Sequence, residues 1–422
     1  MSQRDSQPID VGGTIQRIIG AMRHSILHLA DLHLGAALQP DLEECYRSQL
    51  AAARHQLFDR LATWIARQDC PVGLVLIAGD LFDEYAPELN LAAGVRAALG
   101  KIAQVVPVIT VPGNHDELSY AQCVYRQPGW PGTLVQNPVP EVVWQGELAG
   151  RRCAVVSAAY QAGKVPPGQK LALPPREKIF PTNADDVLFI GLFHATVADH
   201  FPPQVSANER CFWISHQEAA ELGYDYLALG HIHTRREWSA RRCLAHYPGP
   251  PVGPRLSDPG SGCLSLVKCG HGHVRIEPFK GDNLLGCAWE ILKIEVKPDE
   301  AAEQLGRRIS GQIGDGFSTS SLTRIYGVRL TGRTLRSDLV DQVEAFIREK
   351  AIPCVITEER LEKLEPPNIE ALAAEESLVG YFVRHWQKWK QTNNVAPEEG
   401  VAVLYEGLLA LGWRRTEGQA KP

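Results

Sequence analysis

The sequence lacks the marks of several large protein classes. It holds ten cysteines, yet no two are spaced as CxxC, so a structural zinc site of the usual spacing is not expected. No run approaches the ~18 apolar residues needed to cross a bilayer. The polar opening stretch 1–24 has no apolar core of the kind a secretory signal carries. An excess of positive charge is also missing. Lys and Arg number 43 against 49 Asp and Glu, a net charge of −6, which argues against coating nucleic acid by bulk charge. It leaves room for an enzyme that meets phosphate through metal ions. No internal repeat or low-complexity tract is present. Together these absences lead to the expectation of a cytoplasmic protein with reduced thiols and no membrane association. At 422 residues the chain exceeds one compact core, so two or three domains are expected.

What is present is organised around residues 74–83, LVLIAGDLFD. A continuous apolar run closed by Gly suits a strand covered on both faces of a sheet. The carboxylate of Asp80 would then sit at the strand's C-terminal edge, where ligands bind in open α/β sheets. Taken alone, Asp80 reads equally well as a helix N-cap or a turn residue. Four more predicted strands carry similar endings. Residues 25–30 run into Asp31-Leu32-His33, whose i and i+2 side chains share a face if the chain stays extended. Residues 105–111 run into Pro112-Gly113-Asn114-His115-Asp116, residues 187–193 end at His194, and residues 224–229 lead into Gly230-His231-Ile232-His233. Between them, Leu50, Leu57, Leu61, Trp64 and Ile65 mark a helical crossover over 42–69, and residues 89–103 a second helix. Residues 141–160 read as a hairpin and 235–277 as short strands and turns.

Each fragment alone is weak, since HxH arises by chance and Asn-His-Asp suits a turn. Their order and position carry the argument. The donors are carboxylate, amide and imidazole without cysteine, which suits Mn²⁺, Fe²⁺ or Zn²⁺, and they suffice for two ions. Two ions held ~3.5–4 Å apart clamp the attacking and leaving oxygens of a phosphoryl displacement. Asp80 is the natural bridge.

The set DLHLG, GDLFD, GNHD, His194 and GHIH resembles that of the calcineurin-like metallophosphoesterases. Within them it is similar to the bacterial branch of the SbcD-type DNA-repair nucleases. The resemblance is specific over about residues 25–260 and rests on layout beyond 280. It implies an α/β fold, a four-layer αββα metallophosphoesterase sandwich with a small α/β capping domain and a helical C-terminal tail. The corresponding boundaries are a polar N-terminal extension 1–24, a metallophosphoesterase (nuclease) domain 25–280, a capping domain 287–360, and a tail 366–422 that binds a partner. The resemblance further implies two divalent ions, Mn²⁺ first, with Fe²⁺ or Zn²⁺ as alternatives. Asp31, His33, Asp80 and His233 would hold one. Asp80, Asn114, His194 and His231 would hold the other. His115 would contact the scissile phosphate as general acid or charge stabiliser, and Asp116 would orient His115. The implied reaction is DNA phosphodiester hydrolysis, exonucleolytic or endonucleolytic, by a metal-bound hydroxide. The implied partners are DNA, an SbcC-like ABC-type ATPase and a second copy of the chain.

Some residues depart from the family pattern. Asp83 stands where archaeal and eukaryotic members carry a second active-site His and bacterial members often carry Asp, so it is expected behind the ligands. The segment YPGPPVGPRLSD, 247–258, resembles the stretch after the last ligand but is unusually rich in proline. Arg235, Arg236, Arg241 and Arg242 follow the last ligands and read equally as a phosphate groove or a solvated hairpin face. The stripe Leu378, Phe382, Trp386, Trp389 reads equally as a docking face or as packing on its own domain. The same ligands would also serve a phosphodiesterase or phosphatase acting on small nucleotides or phosphoproteins. A third reading is a structural adaptor between DNA and an ATPase.

Overall fold

The computed structural model describes residues 23–182, 187–201, 210–270, 273–298, 300–314, 322–334, 336–363, 367–393, 395 and 397–413. The extension expected over 1–24 lies outside them except for Arg23 and His24. The chain divides into two compact units, residues 1–290 with 320–325 and residues 291–319 with 326–422.

The strands of the first unit are β1 (Ser25–Leu29), β2 (Val72–Ala78), β3 (Val108–Val111), β4 (Thr133–Leu134), β5 (Glu141–Leu148), β6 (Arg151–Ser157), β7 (Val187–Val197), β8 (Phe212–Ile214), β9 (Tyr226–Gly230), β10 (Arg236–Ala240), β11 (Cys243–Tyr247), β12 (Leu264–Cys269) and β13 (Val274–Phe279). One sheet has the order β13-β12-β1-β2-β3-β4, with β1 to β4 parallel and β12 and β13 antiparallel. The other has the order β10-β11-β9-β7-β6-β5, with β6, β7, β9 and β11 parallel. β2 packs across onto β7 and β9, so the two sheets face each other. The apolar run that reads as a doubly covered strand is one: residues 74–78 are at most 1% exposed.

The crossover between β1 and β2 is two helices, Glu44–His55 and Leu57–Ile65, which meet at Gln56. The second buries Leu57, Phe58, Leu61 and Ile65. The helix Leu89–Ala103 joins β2 to β3, and the Glu88 carboxylate caps it by accepting from the Asn90 and Leu91 N–H groups. Parallel strands of one sheet share a C-terminal edge. The loops after β1, β2 and β3 therefore gather at one edge, and those of the second sheet gather at its own.

The second unit centres on a three-stranded sheet of β14 (Cys287–Val296), β15 (Thr323–Thr334) and β16 (Cys354–Lys363). The helices Ala302–Ile313 and Leu339–Glu349 bury Leu305, Ile309, Val343 and Ile347 with Val328 and Leu330. β16 runs well past the apolar residues 354–357, because its second half is an edge strand of charged residues with no alternating signal. In the tail, the helices Ile369–Ala374, Leu378–Thr392 and Pro397–Ala410 close a small core of Leu372, Val383, Trp386, Leu404 and Leu408. Phe382 and Trp386 of the apolar stripe thus pack within the unit, whereas Leu378 stays 75% and Trp389 37% exposed. All ten cysteines are free thiols. Among the described residues no helix is long and apolar enough to cross a membrane.

Candidate metal centre

The candidate ligands reach one another through unusual backbone. β1 stops at Leu29, and Asp31 and His33 adopt φ of 55° and 44°. The extended DLH segment anticipated from strand periodicity is therefore replaced by a left-handed turn. Asp80 and His231 are also left-handed, at 49° and 105°. Among the described residues, four of the seven non-glycine positions with positive φ are thus candidate ligands, and such strain concentrates at functional sites. The turn is held by a ladder to the next motif. Asp31 N–H donates to Gly79 O at 3.1 Å, His33 N–H to Asp80 O at 2.9 Å, and Leu34 N–H to Leu81 O at 3.0 Å. Gly113 is needed for a different reason: a Cβ there would collide with the Asp80 carboxylate. His194 does not end its strand, as the sequence suggested. β7 continues to Val197 because Ala195, Thr196 and Val197 pair with β8. His194 lies opposite Gly230 in the ladder and sends its Nδ1–H to Ala78 O of the facing sheet, 2.9 Å away.

The side chains then converge. His33 Nε2 lies 3.1 Å from His233 Nε2 and 3.6 Å from Asp80 Oδ2. His194 Nε2 lies 3.4 Å from Asp80 Oδ2 and 2.9 Å from Asn114 Oδ1, and Asn114 Oδ1 is 3.1 Å from His231 Nδ1. Donor atoms of Asp31, His33 and His233 lie within 4.8 Å of one another, as do those of Asp31, Asp80 and His194 and those of His33, Asp80 and His115. All seven candidate ligands thus fall in one nest, with Asp80 in the middle.

Hydrogen-bond chemistry says what the nest is for. Asp83 Oδ1 accepts from His33 Nδ1 at 3.0 Å, and Asp258 Oδ2 accepts from His233 Nδ1 at 2.6 Å. A carboxylate only accepts, so each ring spends its Nδ1–H there and presents a lone pair at Nε2. Those two lone pairs face each other at 3.1 Å. Only a proton or a cation between them makes that contact favourable. The Ala78 carbonyl fixes the tautomer of His194 in the same way, and its Nε2 lone pair faces oxygens. Asp31 Oδ2 is fully buried without a hydrogen-bond partner, while its Oδ1 accepts from His231 N–H at 2.7 Å. Acceptors aimed at acceptors in a buried pocket fit divalent cations.

Ionisation follows the same logic. Burial pushes the Asp31 carboxyl up to about 6 and holds His194 down at about 4. Burial also opposes charge on His33, but the Asp83 hydrogen bond and the Asp80 and Asp31 charges raise it to about 9. Burial opposes charge on Asp80 too, and His194, His33 and His115 nonetheless hold its carboxyl below the usual range. At neutral pH the metal-free nest therefore keeps a proton on His33, which an ion must displace. Divalent-metal affinity is expected to rise with pH up to about 9, by about tenfold per unit for this one proton. Calorimetric Mn²⁺ titrations in buffers of different ionisation enthalpy should show proton release at neutral pH; an affinity flat in pH would count against the arrangement.

Around the ligands, one expectation changes. Asp116 does not orient His115. Its carboxylate accepts from Gly113 N–H at 2.8 Å, Phe82 N–H at 3.1 Å and Tyr125 O–H at 2.7 Å, and so fixes the GNHD loop. His115 is oriented instead by Asp83, whose main-chain oxygen accepts from its Nδ1 at 2.8 Å. Asp83 therefore supports both His33 and His115. Of the two readings left open for the four arginines, the structure does not gather them into one groove. β11 runs parallel to β9 with Leu244 opposite Tyr226, so the turn holding Arg241 and Arg242 sits at the edge remote from GHIH. Arg242 pairs there with Asp225, and Arg241 with Glu221. Arg235 donates to Ser265 Oγ at 2.6 Å, and Arg236 lies over Phe201. The sequence reading missed Asp258, although it closes the proline-rich segment singled out there. It also missed Tyr125, which no motif marks.

A family model described as calcineurin-like phosphoesterase matches residues 24–235, half of the chain. The chain belongs to that family. The metallophosphoesterase is similar to two curated relatives. It is 24% identical over 282 residues to the "Uncharacterized metallophosphoesterase YhaO" of Bacillus subtilis (strain 168), covering 64% of this chain and 63% of that one. It is 25% identical over 242 residues to the "DNA double-strand break repair protein Mre11" of Methanopyrus kandleri, covering 53% of this chain and 48% of that one. The metallophosphoesterase thus spans less than two thirds of the length of either. Among solved structures it is similar to a phosphopantetheinyl hydrolase from Mycobacterium tuberculosis, at 12% identity and a TM-score of 0.30, over 55% of this chain and 91% of that one. That likeness is too low to carry functional weight.

Proposed function

We propose that this metallophosphoesterase is a two-ion, Mn²⁺-dependent DNA nuclease acting in repair. The observation that carries the metal reading is the pair of His33 and His233 lone pairs facing each other inside a ring of buried oxygens. The similarity to the archaeal repair protein supports DNA as the substrate. Asp31, His33, Asp80 and His233 would hold one ion, and Asp80, Asn114, His194 and His231 the other. When bound, such ions supply Lewis acidity and a water made acidic enough to attack phosphorus. The chain's own residues do the rest. Asp83 and Asp258 fix the imidazole tautomers, and Asp116 holds the GNHD loop. His115 is exposed, and its Nδ1–H is spent on the Asp83 carbonyl. That leaves Nε2 facing a substrate oxygen, and only the doubly protonated ring, with a second proton on Nε2, would stabilise charge there or pass that proton to the leaving group.

The reading extends to partners and compartment. The exposed Leu378, Tyr381 and Trp389 on the tail helix support docking on an SbcC-like ATPase, with the nuclease working as a homodimer in the cytoplasm. The test assays linear duplex DNA, single-stranded DNA and a chromogenic phosphodiester side by side, after chelation and after Mn²⁺ add-back. DNA cleavage that vanishes on chelation and returns with Mn²⁺ is expected. Hydrolysis of the small diester alone would replace the nuclease with a small-substrate phosphodiesterase. Ion binding without hydrolysis of any substrate would leave an adaptor.

A further inference from the structure

The helix Glu44–His55 carries Arg54 in its last turn, and this arginine is only 3% exposed. Its guanidinium donates to Leu32 O at 2.8 Å, to His33 O at 2.7 Å and to Val252 O. Among the described residues no carboxylate accepts from it. The first two carbonyls belong to the left-handed DLH turn. The third belongs to the proline-rich segment that ends in Asp258, the residue that orients His233. One side chain thus fastens the turn that supplies Asp31 and His33 to the segment whose Asp258 orients His233.

Burying a guanidinium is costly, and three neutral carbonyls offset that cost only when all are well placed. Burial accordingly pulls the guanidinium down to about 10, against the nearby charges of Asp258 and Asp83. What the cation does is hold two consecutive carbonyls of a strained turn, one of them the carbonyl of the left-handed residue His33. A planar fork can reach three acceptors at once, whereas an ammonium is a compact point donor.

We infer that Arg54 is a positioning residue for one of the two ions, the one held by Asp31, His33 and His233, and that it sets the affinity of that position and not of the other. The ligands Asn114, His194 and His231 come from β3, β7 and β9, and none of them lies in the two segments whose carbonyls Arg54 holds. The inference rests on the two-ion reading above. Loss of an outer support of this kind costs about 10–100-fold in metal affinity.

The experiment uses the full chain and compares wild type with Arg54→Lys and Arg54→Met. Bound Mn²⁺ is measured by equilibrium dialysis with elemental analysis, and thermal unfolding is followed with chelator and with Mn²⁺. Wild type is expected to bind two ions. The variants are expected to bind one as before and the second about 10–100-fold more weakly, with a smaller Mn²⁺-induced rise in unfolding temperature. Arg54→Lys keeps a buried cation, so it answers the question should Arg54→Met fail to fold. Two ions at wild-type affinity in Arg54→Lys, or equal weakening of both positions, overturns the inference. A wild type that binds no Mn²⁺ overturns the two-ion reading itself.

Discussion

Asp80→Ala is expected to abolish hydrolysis and to cost the protein metal. Asp80 is the carboxylate that reaches toward both His33 and His194, at 3.6 and 3.4 Å. It is 2% exposed, so no solvent fills its role. Two cations held close together repel, an anion between them offsets that repulsion, and alanine leaves Asp31 as the one carboxylate among the seven candidate ligands. Loss of several kcal/mol of charge stabilisation corresponds to a fall of on the order of 10³-fold or more in kcat/KM. Elemental analysis of the purified variant should show less than the wild-type metal content. Asp80→Asn separates charge from shape: it retains the Oδ1 acceptor for His115 N–H, 2.9 Å away, and should fail nearly as badly. An Asp80→Ala protein that keeps its metal and its rate would remove the basis for the site.

His115→Gln is expected to give the opposite pattern, with metal retained and rate lost. His115 is the exposed member of the nest, with its ring edge-on to His33 at 4.6 Å between centroids. A positioned acid or charge stabiliser contributes about 10²–10⁴-fold, and kcat should drop by that factor at unchanged Mn²⁺ content. The loss should be smaller for substrates with good leaving groups, which need no proton. His115 also lies within reach of His33 and Asp80 as a potential ligand. A variant that loses an ion together with its activity would therefore place His115 among the ligands and not beside the phosphate.

The sequence spelled out the candidate ligands but not the way they meet. Apolar runs ending in Gly-Asp, Gly-Asn-His and Gly-His marked β2, β3 and β9, because a doubly covered strand leaves an unbroken signal. Strand alternation says nothing about the residue after the strand. The left-handed conformations of Asp31 and His33 are consequently invisible in a pattern that treats DLH as extended. The role of Asp83 was half legible: its place behind the ligands was expected, its hold on His115 was not, since that contact uses the main-chain oxygen and carries no residue signature. The place of Arg241 and Arg242 stayed open between a groove and a hairpin face for a topological reason. Short strands after GHIH suggest a hairpin at the site, but whether the next strand runs parallel or antiparallel to β9 is decided by pairing far along the chain. Arg54 looked like any basic residue near a helix end.

The nest draws Asp31, Asp80 and Asn114 from one sheet and His194, His231 and His233 from the other. Bound cations would act as rivets between the two halves of the sandwich, and their release would unfasten that margin first. Reactivity and mechanical cohesion then share one set of atoms.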